Sequence, residues 1–207
     1  MKLNVKGLLI VLSGPSGVGK GTVRKALFNK KGHNLVYSVS MTTREPRKGE
    51  VDGVDYYFVS KEEFLKRIEN NQFLEWAEFV GNYYGTPRDK VEEQLQAGHE
   101  VVLEIEVNGA LQVRNQMPEA VFIFLVPPGK QALFDRLKAR GTEDDKIIEE
   151  RIEKAKREFL LAHKYDYIVV NDDYDNAADR VLAIIRAEHA KTERSIHQYI
   201  KMLGEWL

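Results

Sequence analysis

The chain has 207 residues, 43% of them hydrophobic and 30% charged, with a formal net charge of −1. That suits one α/β domain with a substantial core and gives no general attraction to nucleic acid or an acidic membrane, leaving only a local basic cleft open. It holds no cysteine, which excludes a disulfide framework, a Cys-ligated zinc site and a thiol nucleophile.

Along the chain, Lys2 and Lys6 precede the apolar run Leu8–Leu12. The run faintly resembles a signal peptide, but it is short and leads into a glycine-rich loop, so it reads as a buried strand. No stretch approaches the roughly 20 apolar residues that a spanning helix needs. A cytoplasmic protein without membrane contact is the expectation.

Gly14-Pro15-Ser16-Gly17-Val18-Gly19-Lys20-Gly21-Thr22 follows. It fits G-x-x-x-x-G-K, the core of the P-loop. Glycines let the backbone curl so that successive N–H groups face phosphate oxygens, and the helix that opens near Val18 to Gly21 adds its positive end. Lys20 supplies a mobile charge for β- and γ-phosphates. Gly21 stands where Ser or Thr is usual, so a direct magnesium ligand at that position is lost. Thr22 carries the hydroxyl instead, and Mg2+ is expected to be held mainly by phosphates and water.

The segment from Val36 to Arg88 is rich in Tyr, Thr, Arg and Gly. It has strand-like pieces at Val36–Ser40 and Tyr56–Val59 and reads as an inserted subdomain. Within it, Ser60 and Glu63 form a capping-box pattern ahead of Phe64, Leu65 and Ile68. Thr86-Pro87 opens a helix that carries Val91 and Leu95 and stops at Gly98. Further buried strands are expected at Val101–Ile105, Val121–Val126 and Tyr167–Val170, alternating with helices as in a parallel sheet with crossovers. Glu104 and Glu106 stand two apart, hence on one face of the first of these strands. Thr142 caps a helix with the stripe Ile148, Ile152, Ala155 and Phe159. Asp175 caps a last helix whose distal side shows Ile196, Tyr199, Leu203 and Trp206. That stripe packs on its own core by default, with a homodimer left open.

Several of these segments together resemble the guanylate kinase family. They are Ser40-Met41-Thr42-Thr43-Arg44, Arg47, Gly49-Glu50, Gly53, Tyr56-Tyr57-Phe58, Phe73-Leu74-Glu75-Trp76 and Gly81-Asn82-Tyr83-Tyr84-Gly85-Thr86. Leu103-Glu104-Ile105-Glu106, Pro127-Pro128, Arg140-Gly141-Thr142-Glu143 and Val170-Asn171-Asp172-Asp173 follow in the same order. The resemblance runs from about Gly7 to about His189. It implies a P-loop three-layer α/β fold with a parallel sheet: core 1–35, 91–128 and 157–207, a GMP-binding subdomain at 36–90 and a lid at 129–156. It also implies transfer of the γ-phosphoryl group of ATP to GMP, and by extension to dGMP.

The resemblance implies residue roles as well. Arg44, Arg47, Tyr56 and Tyr84 match positions that hold the GMP phosphate. Glu75 matches the carboxylate that reads guanine, with Ser40 and Thr86 as hydroxyl partners. A carboxylate can accept from guanine N1–H and the exocyclic amine together, a pair that adenine lacks. Glu104 and Glu106, carboxylates at the end of a core strand, suggest magnesium or substrate contact, and Glu106, where many relatives have Asp, is expected at the guanine amino group. Arg136, Arg140 and Arg151 match the lid and its flanks, where cations stabilise the migrating phosphoryl group. Asn171 matches a contact to adenine. No general base is needed, because the attacking oxygen belongs to a phosphate already ionised. Scaffold domains of related fold bind proteins instead, but those generally have degraded loops. An Asn-Lys-x-Asp motif, which would favour a GTPase, is absent.

Overall fold

The computed structural model describes residues 6–138 and 145–204. Arg140 and Thr142, singled out above, lie outside the described residues, as does Trp206. In chain order the elements are β1 (Leu9–Ser13), α1 (Lys20–Asn29), β2 (Leu35–Tyr37), β3 (Met41–Thr42), β4 (Tyr57–Phe58), α2 (Lys61–Glu69), β5 (Phe73–Phe79), β6 (Asn82–Pro87) and α3 (Arg88–Gln96). Then come β7 (Glu100–Glu104), α4 (Val107–Gln116), β8 (Val121–Val126), α5 (Lys130–Lys138), α6 (Asp145–Phe159), β9 (Tyr167–Val170), α7 (Tyr174–Ala190) and α8 (Thr192–Leu203). The parallel strands follow the order β2-β7-β1-β8-β9, and a second sheet follows β4-β3-β6-β5. This is the α/β fold with a parallel sheet that the alternating pattern predicts.

The chain divides into two units. One comprises Lys6–Ser13 and Asn34–Phe122. In it, β7 pairs in parallel with β1, Leu9 opposite Val101, and with β2, Val36 opposite Val101. Strand β2 therefore belongs to the parallel sheet, and the extended piece expected at Val36–Ser40 ends at Tyr37. The second sheet has an apolar face where Met41, Phe64 and Phe73 are buried. Phe64 stacks on Phe73 at 4.3 Å and on Tyr83 at 5.5 Å between ring centroids. A Cβ on Gly85 would meet Phe73 Cδ1 and the Glu75 carbonyl oxygen at 2.9 Å, so only glycine fits beneath these rings.

The other unit comprises Gly14–His33 and the described residues from Ile123 onward. Here β8 and β9 pair in parallel and α1 lies against α7. Leu133, Leu137, Ile148 and Ala155 bury the facing sides of α5 and α6, confirming the stripe expected on α6.

Several helix ends differ from expectation for clear physical reasons. Ser60 does cap α2, accepting from Glu63 N–H at 3.1 Å. Helix α3, however, is entered through Pro87, because the Thr86 hydroxyl is committed to Glu75. Asp173, not Asp175, caps α7 by accepting from the N–H groups of Asp175 and Asn176. The final helix is two helices that break at Lys191. Buried Glu188 is bonded there to Lys191 at 2.6 Å, to Arg194 at 3.0 Å and to the Tyr167 hydroxyl. Ile196 and Tyr199 of the expected stripe are exposed on α8, as is neighbouring Ile200, so these two stripe residues do not pack on the chain's own core.

The β5–β6 turn is strained. Val80 has φ 49° and Gly81 φ 74°. Asn or Gly is at ease in that two-residue turn, whereas a β-branched side chain is not. Val80→Asn should therefore stabilise the protein by about 1 kcal/mol, read as a higher urea midpoint at unchanged m.

Candidate functional site

The glycine-rich loop links buried β1 to α1, and its shape is fixed by close approaches. A Cβ on Gly14, at φ 145°, would lie 2.4 Å from the Leu125 carbonyl oxygen. One on Gly19, at φ 93°, would lie 2.7 Å from Asn171 Nδ2. Gly19 is the N-cap of α1, supplies no side-chain acceptor, and the first turn holds no acidic residue. The helix thus presents its positive end with no built-in counter-charge. Lys20 Nζ is folded onto the loop, donating to the carbonyls of Gly14 at 2.7 Å and Pro15 at 3.3 Å.

The loop is braced from behind at Val18, which is fully buried. Its carbonyl accepts from Asn171 Nδ2 at 2.7 Å and from Arg136 at 3.1 Å, and Arg136 also donates to the Asn171 carbonyl at 2.8 Å. Arg151, on α6, donates to Ser16 Oγ at 2.8 Å. The structure thus brings Arg136, Arg151 and Asn171 to the loop. Among the described residues no group of three or more His, Cys, Asp or Glu could hold a metal ion.

The second constellation sits on β5 and β6. Glu75 is directly opposite Thr86, and Ala77 opposite Tyr84, while Thr42 on β3 also faces Tyr84. Side chains alternate along a strand, so Tyr83 and Gly85 turn to the aromatic core while Tyr84 and Thr86 share the opposite face. Glu75 is 8% exposed and accepts from the Thr86 hydroxyl at 2.6 Å. Burial pushes its carboxyl above the ordinary carboxylate range, and the bonds from Thr86 only partly oppose this. A buried carboxylate without a charged partner is costly unless something else stabilises it.

On the same face, the Tyr84 ring meets Tyr56 edge-on at 6.1 Å, and the Arg44 guanidinium lies 5.4 Å from the Tyr56 centroid. Arg44 is bonded to Glu50 at 2.9 Å, and the other Glu50 oxygen accepts from Arg47 N–H at 2.8 Å. The Arg44 guanidinium holds the Glu50 carboxyl below its ordinary range, and Glu50 in turn holds Arg44 above. Arg47 itself is exposed. Ser40 is half-buried and accepts through its carbonyl from Tyr57 N–H at 2.9 Å. Glu104 ends β7, but Glu106 does not continue the strand. It is the N-cap of α4 and is exposed, so the two carboxylates do not share a strand face.

A model of the family described as guanylate kinase matches residues 6–188. The chain belongs to the guanylate kinase family. It is 67% identical over 206 residues to a guanylate kinase of Onion yellows phytoplasma, covering 99% of this chain and 97% of that one. It is 57% identical over 198 residues to one from Bacillus subtilis, covering 96% and 97%. A crystal structure of guanylate kinase from Anaplasma phagocytophilum superposes with a TM-score of 0.73 at 38% identity, covering 96% of each chain. The resemblance drawn from the motifs is thereby established. Glu50 orders Arg44, a role that its place in the sequence does not reveal. Gly109 and Gln112, which back Glu75, gave no signal beyond a glycine inside a helix.

The brace on Val18 is testable as structure. Asn171→Ala removes one donor from a buried carbonyl and should lower stability by about 1–2 kcal/mol, seen as a lower urea midpoint without a change in m.

Proposed function

We propose that the chain transfers the γ-phosphoryl group of ATP to GMP, and to dGMP, as a guanylate kinase. The observation that carries this reading is buried Glu75 with its Thr86 partner on the same sheet face as Tyr84, Tyr56 and Arg44. A carboxylate there suits guanine's N1–H and 2-amino donors, and a hydroxyl from Ser40 or Thr86 suits O6. The charge that is costly in the free protein is stabilised when those donors arrive. Glu104 and Glu106 are assigned to the substrate side. Arg44, Arg47, Tyr56 and Tyr84 offer cations and hydroxyl donors to the phosphate dianion. The assigned contacts go to base and phosphate, so loss of the ribose 2′-hydroxyl is tolerated.

On the ATP side, the main chain of Gly14, Pro15, Ser16, Gly17, Val18, Gly19 and Gly21, with Lys20 and Thr22, cradles the phosphates. Arg136 and Asn171 flank the adenine side. An oxygen of the GMP phosphate attacks the γ-phosphorus, the bond to the β-bridging oxygen breaks, and ADP and GDP leave. The nucleophile is already ionised, so positioning and charge stabilisation carry the catalysis. Lys20, Arg44, Arg140 and Arg151 supply the stabilising cations. Segment 36–90 closes over GMP and segment 129–156 over ATP, around a core of 1–35, 91–128 and 157–207.

Magnesium suits this donor set as a nucleotide-borne ion, since Mg2+ keeps water and takes phosphate oxygens readily. The exposed Thr22 hydroxyl at the first turn of α1 would hold a phosphate beside it. When bound, the ion neutralises charge on the β- and γ-phosphates. Among the described residues no helix is long and apolar enough to cross a membrane. We assign the enzyme to the cytoplasm, where ATP and GMP are held, with no nucleic-acid partner.

With ATP and a panel of AMP, GMP, UMP and CMP, GMP should be the preferred acceptor by far. Glu75→Ala should lower kcat/KM for GMP by about a hundredfold or more while KM for ATP stays within about twofold. Equal loss on both substrates would remove Glu75 from base recognition. The pH dependence has a definite sign. Glu75 must be ionised to accept from guanine, and burial raises its pKa in the free enzyme. KM for GMP should therefore climb as pH falls through that raised value, and Glu75→Gln should flatten the climb.

A further inference from the structure

Strand β5 is the edge of its sheet, and an edge strand leaves alternate main-chain groups unpaired unless something covers them. Glu75 turns its main chain towards β6, so Leu74 and Trp76 turn theirs outward. Helix α4 meets them with side-chain amides. Gln112 Oε1 accepts from Trp76 N–H at 3.1 Å, and Gln112 Nε2 donates to the Trp76 carbonyl at 3.1 Å. One turn on, Gln116 Nε2 donates to the Leu74 carbonyl at 3.1 Å, while its Oε1 is bonded to Arg88. The two main-chain neighbours of Glu75 are thus fastened to one helix.

One turn before Gln112, the same helix carries Gly109. A Cβ there would stand 2.8 Å from Glu75 Oε2 and 3.4 Å from its carboxyl carbon. Gly109 does not adopt a positive φ, so its backbone does not demand glycine. Alanine would favour the helix instead. What glycine provides is room for the carboxylate, which has Thr86 on one oxygen and the Gly109 backbone beside the other.

We propose that Gly109 is a specificity-determining residue and Gln112 a positioning residue for guanine recognition. Together they fix where the Glu75 carboxylate stands. This deepens the reading of Glu75 given above and rests on it. An added methyl at Gly109 collides with the far end of a flexible side chain, not with backbone, so the fold gives way at the carboxylate. The protein stays folded and the base-reading group is moved. A displaced carboxylate loses its two-pronged hold on N1–H and the 2-amino group. The loss falls on GMP more than on IMP, the same purine without the 2-amino group.

The test is steady-state kinetics of full-length Gly109→Ala, Gln112→Met, Glu75→Gln and the Gly109→Ala/Glu75→Gln double variant, with ATP and either GMP or IMP. Thermal unfolding of each is recorded alongside. Gly109→Ala should raise KM for GMP about tenfold, lower the GMP-over-IMP preference in kcat/KM by a similar factor, and leave KM for ATP and the unfolding midpoint near wild type. Gln112→Met should shift both GMP readouts in the same direction. In the Glu75→Gln background, Gly109→Ala should add little, because the group it displaces no longer discriminates. If Glu75→Gln loses the preference while Gly109→Ala and Gln112→Met keep it, the role of α4 is overturned and the Glu75 reading survives. If Glu75→Gln itself keeps the preference, both fall. Equal rises in KM for ATP and GMP would also overturn the proposal, since that is the signature of general structural damage.

Discussion

The constraint on which the rest depends is an acidic side chain placed almost out of solvent and held by Thr86. Glu75 is 8% exposed and bonded to Thr86. Because burial raises its pKa, this group favours the folded state below its unfolded value and loses that contribution as pH rises through the folded one. Burial makes the charged form of Glu75 costly in the free protein. On the proposed reading, a ligand with two adjacent N–H donors relieves that cost. Selectivity then follows from an unmet electrostatic demand as much as from a complementary shape.

Around that demand the second sheet supplies rigidity. The face towards Phe64, Phe73 and Tyr83 is an aromatic pack. It holds β5 and β6 in register, and the register puts Tyr84 and Thr86 on the face of Glu75. The phosphate loop is handled by the same logic with opposite charge. Its amides and the end of α1 are left without a built-in anion, while Arg136 and Asn171 fasten the loop from behind through the Val18 carbonyl. On the proposed reading, each nucleotide completes the charge pattern that one half offers.

Much of this was legible in the sequence, because short motifs with strict spacing leave little freedom. The loop from Gly14 to Thr22 fixes a strand, a turn and a helix in order. The α6 stripe and the Ser60 cap follow from period and side-chain chemistry. Contacts between residues far apart in sequence were not legible. Asp173 outcompetes Asp175 as a cap, and Thr86 is drawn away from capping by Glu75. Glu106 is claimed by the start of α4, which no period-two reading foresees. Gln112 lies 36 residues from Trp76, which it holds, and no local pattern reveals such a partnership.

The most direct test of this account is the titration of the Glu75 side-chain carboxyl, followed by NMR of the carboxyl carbon with and without GMP. The account predicts a midpoint above the ordinary glutamate value of about 4.3 in the free enzyme and a clear fall when GMP is bound. An ordinary midpoint that GMP leaves unmoved would contradict it.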